Sequence, residues 1–152
     1  MINKYLNLEE DSLSAYMRDV RKNGNVITIE KEVELAKKIQ KGDSKALDEL
    51  VNANLRFVIK VAKDYQNQGI SVADLINEGN YGLTVAAHKF DYTKGFRFIS
   101  YAIWWIRASI TEYVLRSWSM VKLGTMAAQK KLFFSLRKTK SRLNILESGD
   151  LT

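Results

Sequence analysis

Residues 95–116 read GFRFISYAIWWIRASITEYVLR, a stretch without proline that predicts a helix apolar on two sides. Each helical residue advances by about 100°. The aliphatic side comprises Ile103, Ile106, Ile110 and Val114, and the aromatic side comprises Tyr101, Trp104, Trp105 and Ala108. Branched aliphatic residues at this spacing are typical of the seam of a helical bundle. The rest of the chain is therefore expected to pack around this helix.

The aromatic side has two interpretations. It is either a second core face, because Trp and Tyr are usually partly buried, or an uncovered platform on which unpaired nucleobases stack. Stacking contributes about 1–3 kcal/mol per base, and nearby cations bind the phosphates. Lys94, Arg97, Arg107 and Arg116 supply those cations. The second interpretation predicts that the rings of Tyr101, Trp104 and Trp105 are exposed.

The composition predicts one all-α domain. The chain has 152 residues, enough for a hydrophobic core, and it contains no proline to interrupt helices. Cysteine is absent and His88 is the single histidine, so the usual metal sites and nucleophile–base pairs cannot be assembled. No glycine-rich phosphate loop is present. We therefore expect no catalytic residue, metal or cofactor, and a structural role for His88.

The hydropathy pattern predicts a soluble, cytoplasmic protein without a membrane partner. No apolar run approaches the roughly 20 residues of a membrane-spanning helix. The first residues, MINKYLNLEEDS, lack the apolar stretch of a signal peptide.

Positive charge is concentrated in one part of the chain. The formal net charge is +7, yet residues 89–142 alone carry twelve basic and two acidic side chains, a net +10. Solvated surfaces usually mix the two signs, so a one-sided basic block indicates a polyanionic partner such as nucleic acid.

Local signals divide the chain into a helical bundle. The first ten residues are expected to be flexible, and the predicted helices cover residues 11–22, 29–41, 44–66, 72–89, 95–116 and 125–146. Thr28 is the predicted N-cap of the second helix, and Asp43 or Ser44 opens the third. Gly79 and Gly82, in the fourth helix, are expected to allow another helix to approach closely.

The fourth helix also carries a polar strip. Asp74, Asn77, Glu78, Tyr81 and Thr84 recur at helical spacing on the side opposite its apolar face. The strip is either a solvated surface or a docking site for a partner, with Glu78 as an acidic anchor for an arginine.

Four stretches of the sequence resemble region 2 of bacterial sigma factors of the sigma-70 family. They are NANLRFVIKVAKDYQNQG (52–69), DLINEGNYGL (74–83), KFDYTKGFRFISYAIWWIR (89–107) and EYVLRSW (112–118). Residues 11–42 are similar to region 1.2 and residues 43–146 to region 2, and residues 147–152 are expected to be a truncated tail. Beyond Thr111 the sequence looks most like the heat-shock branch. The implied fold is the compact multi-helix bundle of sigma factor domain 2.

The resemblance implies a specificity subunit that binds core RNA polymerase and recognises the promoter −10 element as melted DNA. The implied contacts with the clamp helices of the largest polymerase subunit are Asp74, Asn77, Glu78, Asn80 and Thr84.

Bound DNA would be the single-stranded non-template −10 region. Tyr101 would stack on a flipped adenine, the second base of the hexamer, and Trp104 and Trp105 would wedge at the upstream fork. Further implied DNA-binding positions are Asn54, Lys63, Asp91, Lys94, Phe96, Arg97, Phe98, Arg107, Ala108, Thr111 and Glu112. Ala108 and Glu112 depart from the glutamine and the basic residue of primary sigma factors, which favours an alternative or heat-shock-type promoter set.

Two other functions are compatible with the residues. One is a polymerase-binding regulator or decoy that does not read promoters, and the other is a general single-strand binder without sequence preference. Nothing in the 152 residues resembles a domain for the −35 element, so the chain alone is not expected to direct −35-dependent transcription.

Overall fold

The structure, a computed structural model, describes the backbone of residues 2–121 and 126–148, and side-chain environments for residues 12–67, 69–118, 131 and 134–144. This part of the chain is all-α, as the sequence predicts, and contains no strand. Its helices are α1 (Ile2–Asn23), α2 (Ile29–Gln40), α3 (Ser44–Asn52), α4 (Leu55–Asp64), α5 (Val72–Lys89), α6 (Phe98–Val121) and α7 (Met126–Ser148). Short 3₁₀ turns occupy Gln66–Gln68 and Tyr92–Lys94.

Helix α6 lies at the centre of the bundle and packs against α4, α5 and α7. On its aliphatic side Ile106, Ile110 and Val114 are fully buried, which confirms the predicted seam. Helices α5 and α6 cross closely at Gly82. A Cβ atom at this position would lie only 2.6 Å from the Trp105 carbonyl oxygen. The predicted role of Gly82 as a site of close approach is therefore confirmed.

Two predicted caps are confirmed. The Thr28 hydroxyl accepts a hydrogen bond from the Lys31 backbone N–H at 3.2 Å. The Asp43 carboxylate accepts from the N–H groups of Lys45 and Ala46. Each side chain satisfies donors that the first helical turn leaves unpaired.

The predicted long helix over residues 44–66 is wrong, because the structure divides it into α3 and α4. The Asn54 side-chain Nδ2 donates to the Leu50 carbonyl at 2.8 Å. The Asn54 backbone N–H donates instead to Val51, three residues back. A short amide side chain that occupies the i−4 carbonyl competes with the helical ladder, and the chain turns at Ala53 and Asn54.

Other boundaries also differ from the prediction. Helix α1 begins at Ile2, so the predicted start at Asp11 or Ser12 is wrong, and α6 continues past Arg116 to Val121. Residues 122–125, around the predicted start of the last helix at 125, lie outside the described residues. None of the described helices is both long and apolar enough to cross a lipid bilayer.

Candidate nucleic-acid interface

Trp104 of α6 lies close to two arginines. The guanidinium carbon of Arg107 is 5.8 Å from the centre of the indole ring, and that of Arg142 on α7 is 4.6 Å away. Both distances fall in the range of cation–π interactions. A cavity of about 320 Å³ beside this ring is lined also by Asp64, Tyr65, Ser135, Lys138 and Thr139. The structure thus places three cations and a half-buried indole around one opening.

Trp105 turns toward the crossing of α5 and α6. The Lys89 ammonium lies 5.1 Å from its ring centre. Its indole Nε1 is buried and has no hydrogen-bond partner among the described residues. An unpaired buried donor costs about 1–3 kcal/mol, so this indole gains a hydrogen bond if it moves toward water or toward an acceptor.

The prediction that Tyr101 is uncovered is wrong. Its side chain is only 5% exposed, and its ring centre lies 6.1 Å from that of Phe90 at the end of α5. Phe98, a further predicted DNA contact, is fully buried and packs edge-on against the same Phe90 ring at 5.3 Å. Helical spacing predicts which side of α6 these side chains lie on, but it does not predict that Phe90 packs against them.

The upstream part of the predicted DNA surface is mixed. Ala108 and Thr111 are buried, and the Thr111 hydroxyl lies 3.2 Å from the Tyr65 hydroxyl of α4. Arg107 and Glu112 are exposed on the same helix. Two of these four predicted contacts therefore face solvent, and two contribute to packing.

The turn before α6 brings together four of the predicted DNA-binding residues, Asp91, Lys94, Phe96 and Arg97. Asp91 accepts hydrogen bonds from the backbone N–H and the hydroxyl of Thr93. The hydrogen bond from the Thr93 hydroxyl, and to a smaller extent that from the backbone N–H, holds the pKa of the Asp91 carboxyl below its ordinary value. Lys94 is exposed and Phe96 is half-buried. The turn thus presents the Asp91 carboxylate, the exposed Lys94 ammonium and the partly open Phe96 ring.

Arg97 is held by Glu32, a residue that the sequence reasoning missed. Glu32 lies on α2 and is 3% exposed. Its carboxylate accepts from Arg97 Nη2 at 2.8 Å and from Arg97 Nε and the Phe98 backbone N–H at 3.2 Å. Arg97 also donates to the Ile27 carbonyl at 3.0 Å. These bonds fix the start of α6 to α2 and raise the pKa of Arg97.

A second cationic surface runs between α1 and α4. Four basic side chains, Arg21, Arg56, Lys60 and Lys63, surround a groove of about 480 Å³ whose apolar wall is formed by Met17, Val20 and Ile59. Only Lys63 was predicted as a DNA contact. Arg56 and Lys60 were missed although they precede Lys63 on α4 itself. Arg21 was missed because it lies on α1, and sequence spacing does not show that α1 and α4 meet. Asn54, another predicted DNA contact, lies just before α4 and is buried, with 5% of its surface exposed.

The polar strip of α5 is only partly on the surface. Asp74 and Asn77 are exposed and Glu78 is half-buried. Asn80 instead points toward α1, where its Nδ2 lies 3.2 Å from the Tyr16 hydroxyl, and the Thr84 hydroxyl donates to the Asn80 carbonyl at 2.9 Å. The structure therefore separates the five predicted docking residues into an outer group and an inner pair.

Among the described residues, no group of three His, Asp or Glu side chains has the arrangement of a metal site. The chemistry available on these surfaces is that of cations, carboxylates, amides and aromatic rings, which bind and orient charged or planar groups.

The comparisons with known proteins agree on one family. The family described as Sigma-70 region 2 matches residues 50–120, and that described as Sigma-70 factor, region 1.2, matches residues 11–45. The RNA polymerase sigma factor RpoH of Zymomonas mobilis is 52% identical over 143 residues, which cover 93% of this chain and 47% of the relative.

Two further relatives are similar to the same extent. The RNA polymerase sigma-C factor of Myxococcus xanthus is 49% identical over 140 residues, covering 92% of this chain and 47% of the relative. RpoH of Caulobacter vibrioides is 47% identical over 143 residues, covering 93% and 48%. The chain thus spans about half the length of the curated relatives that it matches.

Proposed function

Because this chain belongs to the sigma-70 family, in which it matches regions 1.2 and 2, we propose that it forms the polymerase-binding and −10-recognising part of a heat-shock-type RNA polymerase sigma factor. The sigma-70 family is not enzymatic, and the proposed function needs no catalytic residue. The observation that carries the proposal is the cationic opening around Trp104, where Arg107 and Arg142 lie close to a half-buried indole.

In the proposed mechanism, melted non-template DNA binds along α6 and the turn before it. Trp104 and Trp105 act at the upstream fork, where the last base pair gives way to single strand. Lys94 and Arg107, both exposed, bind the phosphates on either side. Each flipped base costs a few kcal/mol of lost stacking and pairing, and stacking on the protein at about 1–3 kcal/mol per base offsets that cost.

Tyr101 has to become uncovered before it can stack on a flipped adenine. Its ring is covered in part by Phe90, so we propose that the entering base takes over this aromatic contact. Asp91, Lys94 and Phe96 then form the rim of the base pocket. Arg97 positions the turn through Glu32, rather than reaching freely toward the DNA.

The groove between α1 and α4 is the proposed path of the strand beyond the base pockets. Its four cations suit consecutive phosphates, and its apolar wall suits the flat face of a base. This assignment extends the predicted role of Lys63 to Arg21, Arg56 and Lys60.

Core RNA polymerase is the proposed partner of the acidic outer face of α5. Asp74, Asn77 and Glu78 are the docking residues that this face supports best, and the clamp helices of the largest subunit are the proposed contact. Asn80 and Thr84 support the face from inside through the bonds to Tyr16 and to the helix backbone.

The proposed function is tested by assembling the chain with core RNA polymerase and measuring capture of a fork-junction DNA that carries a single-stranded non-template −10 overhang. We expect the two proteins together to capture more of this DNA than either protein does alone, and to capture less of a scrambled overhang. Tyr101→Ala should retain polymerase binding, which also reports that the variant is folded, and should lose the sequence preference. Polymerase binding with equal capture of both overhangs would instead favour a regulator that does not read promoters.

A further inference from the structure

The outer face of α5 is centred on Tyr81. Asp74, Asn77, Glu78 and Tyr81 are spaced at i, i+3, i+4 and i+7 and therefore share one face of the helix. Tyr81 is 65% exposed, more than Phe134 at 62% or Phe57 at 40%. A large aromatic side chain is thus presented to solvent in the middle of the proposed polymerase-docking face.

Asn80 and Thr84, the inner pair of predicted docking residues, do not lie at the centre of this face. Asn80 points toward Tyr16 of α1, and the Thr84 hydroxyl is occupied by the Asn80 carbonyl. A partner that approaches the outer face therefore meets Tyr81 before it meets either of them. Asn77 and Glu78 lie one turn earlier on the same face, so they contact the same partner group.

The charge of this face differs from that of the whole chain. Between Val72 and Ala87 the only charged side chains are those of Asp74 and Glu78, and both are negative. The whole chain, in contrast, has a net charge of +7. Such a face repels phosphates and attracts cations, so its partner is a basic protein surface and not the DNA.

An aromatic ring one turn from a carboxylate is suited to arginine. A guanidinium can pair with the carboxylate through two parallel hydrogen bonds, while its flat face stacks on the ring. Lysine offers no planar group for the second contact. Tyrosine and arginine are also the residue types enriched among those that contribute most to binding at protein interfaces.

We propose that Tyr81 is an aromatic anchor of the polymerase interface and that, together with Glu78, it binds an arginine side chain of core RNA polymerase. The inference rests on the proposed function and adds to it the residue that contributes most to docking and the chemistry of its partner.

The test is a titration of core RNA polymerase with the full chain at fixed salt. Tyr81→Ala should weaken binding by about tenfold, and Tyr81→Phe, which keeps the ring, by less than about threefold. Glu78→Gln should also weaken binding. If both side chains hold one guanidinium, the double variant should lose less than the product of the two single effects. Val26→Ala removes part of another exposed apolar side chain, 88% exposed between α1 and α2, and should bind like the unaltered chain.

The possible results separate this inference from the proposed function. If the unaltered chain binds core polymerase and Tyr81→Ala binds within about twofold of it, the anchor role is refuted and the proposed function stands. Equal weakening by Tyr81→Ala and Tyr81→Phe would also refute it, because the ring would then not be the recognised group. If the unaltered chain does not bind core polymerase at all, the proposed function fails, and the inference fails with it.

Discussion

Glu32 of α2 joins the first part of the chain to the start of α6 through one buried carboxylate. It lies among other charged residues of an amphipathic helix, where an exposed position is the ordinary expectation. Instead it is buried and pairs with Arg97, 65 residues further along the chain. Only the packing of α2 against the turn before α6 brings the two together. The consequence is that the proposed base pocket is built on a contact between the region 1.2 and region 2 segments.

Asp91 provides a test of the turn at the level of one ionisable group. The Thr93 hydroxyl and backbone N–H both stabilise its charged form, so the pKa of Asp91 lies below its ordinary value. These hydrogen bonds stabilise the turn at pH values above the ordinary pKa of aspartate. The stabilisation is lost as the pH falls through the lowered pKa of Asp91. Thr93→Val removes the larger contribution and should move the pKa of Asp91 back toward the ordinary value.

This change can be followed by an NMR titration of the Asp91 carboxyl carbon. Ser100→Ala, which removes an exposed hydroxyl at the start of α6, serves as the control and should leave the Asp91 titration unchanged. An unaltered pKa in Thr93→Val would show that the hydroxyl bond does not form in solution.

For the helices, the sequence predicts local features such as N-caps better than it predicts where a helix ends. The caps by Thr28 and Asp43 were predictable because a cap involves only neighbouring residues. The break between α3 and α4 was not, because apolar residues at helical spacing continue across Asn54 while its side chain takes the Leu50 carbonyl. The burial of Tyr101 depends on Phe90 from the preceding helix, which periodicity within α6 does not contain.

The crossing of α5 and α6 predicts the effect of a methyl group at Gly82. A Cβ atom there would lie 2.6 Å from the Trp105 carbonyl oxygen and 2.7 Å from the Ser109 hydroxyl. Backbone cannot move aside cheaply, so we expect Gly82→Ala to lower the free energy of unfolding by about 1–3 kcal/mol. Elsewhere in a helix the same change raises stability by about 1 kcal/mol.

Chemical denaturation with urea measures this difference. Asn77→Ala, on the exposed face of the same helix, is the matched control and should stay within about 0.5 kcal/mol of the unaltered chain. If Gly82→Ala stabilised the protein, the helices would not be as close as described.

At the scale of the whole molecule, the two proposed partners bind surfaces of opposite charge. The groove between α1 and α4 has four basic side chains, and the opening around Trp104 has three together with Asp64. The outer face of α5 instead carries Asp74 and Glu78. The concentration of basic residues in 89–142 indicated a polyanion from the sequence alone. That Arg21 of α1 lies beside the α4 cations Arg56, Lys60 and Lys63 could be seen only in the fold, because α1 and α4 meet through tertiary packing.

The central claim is that the aromatic and cationic surface of α6 reads melted −10 DNA, and the most direct test is a pair of binding titrations of the chain alone. A fluorescent single-stranded non-template −10 oligonucleotide is compared with a scrambled one of equal length and composition, at two salt concentrations. Phosphate contacts should make both affinities fall as salt rises. We predict that the −10 strand binds at least about tenfold more tightly at both salts, and equal dissociation constants for the two strands would contradict the account.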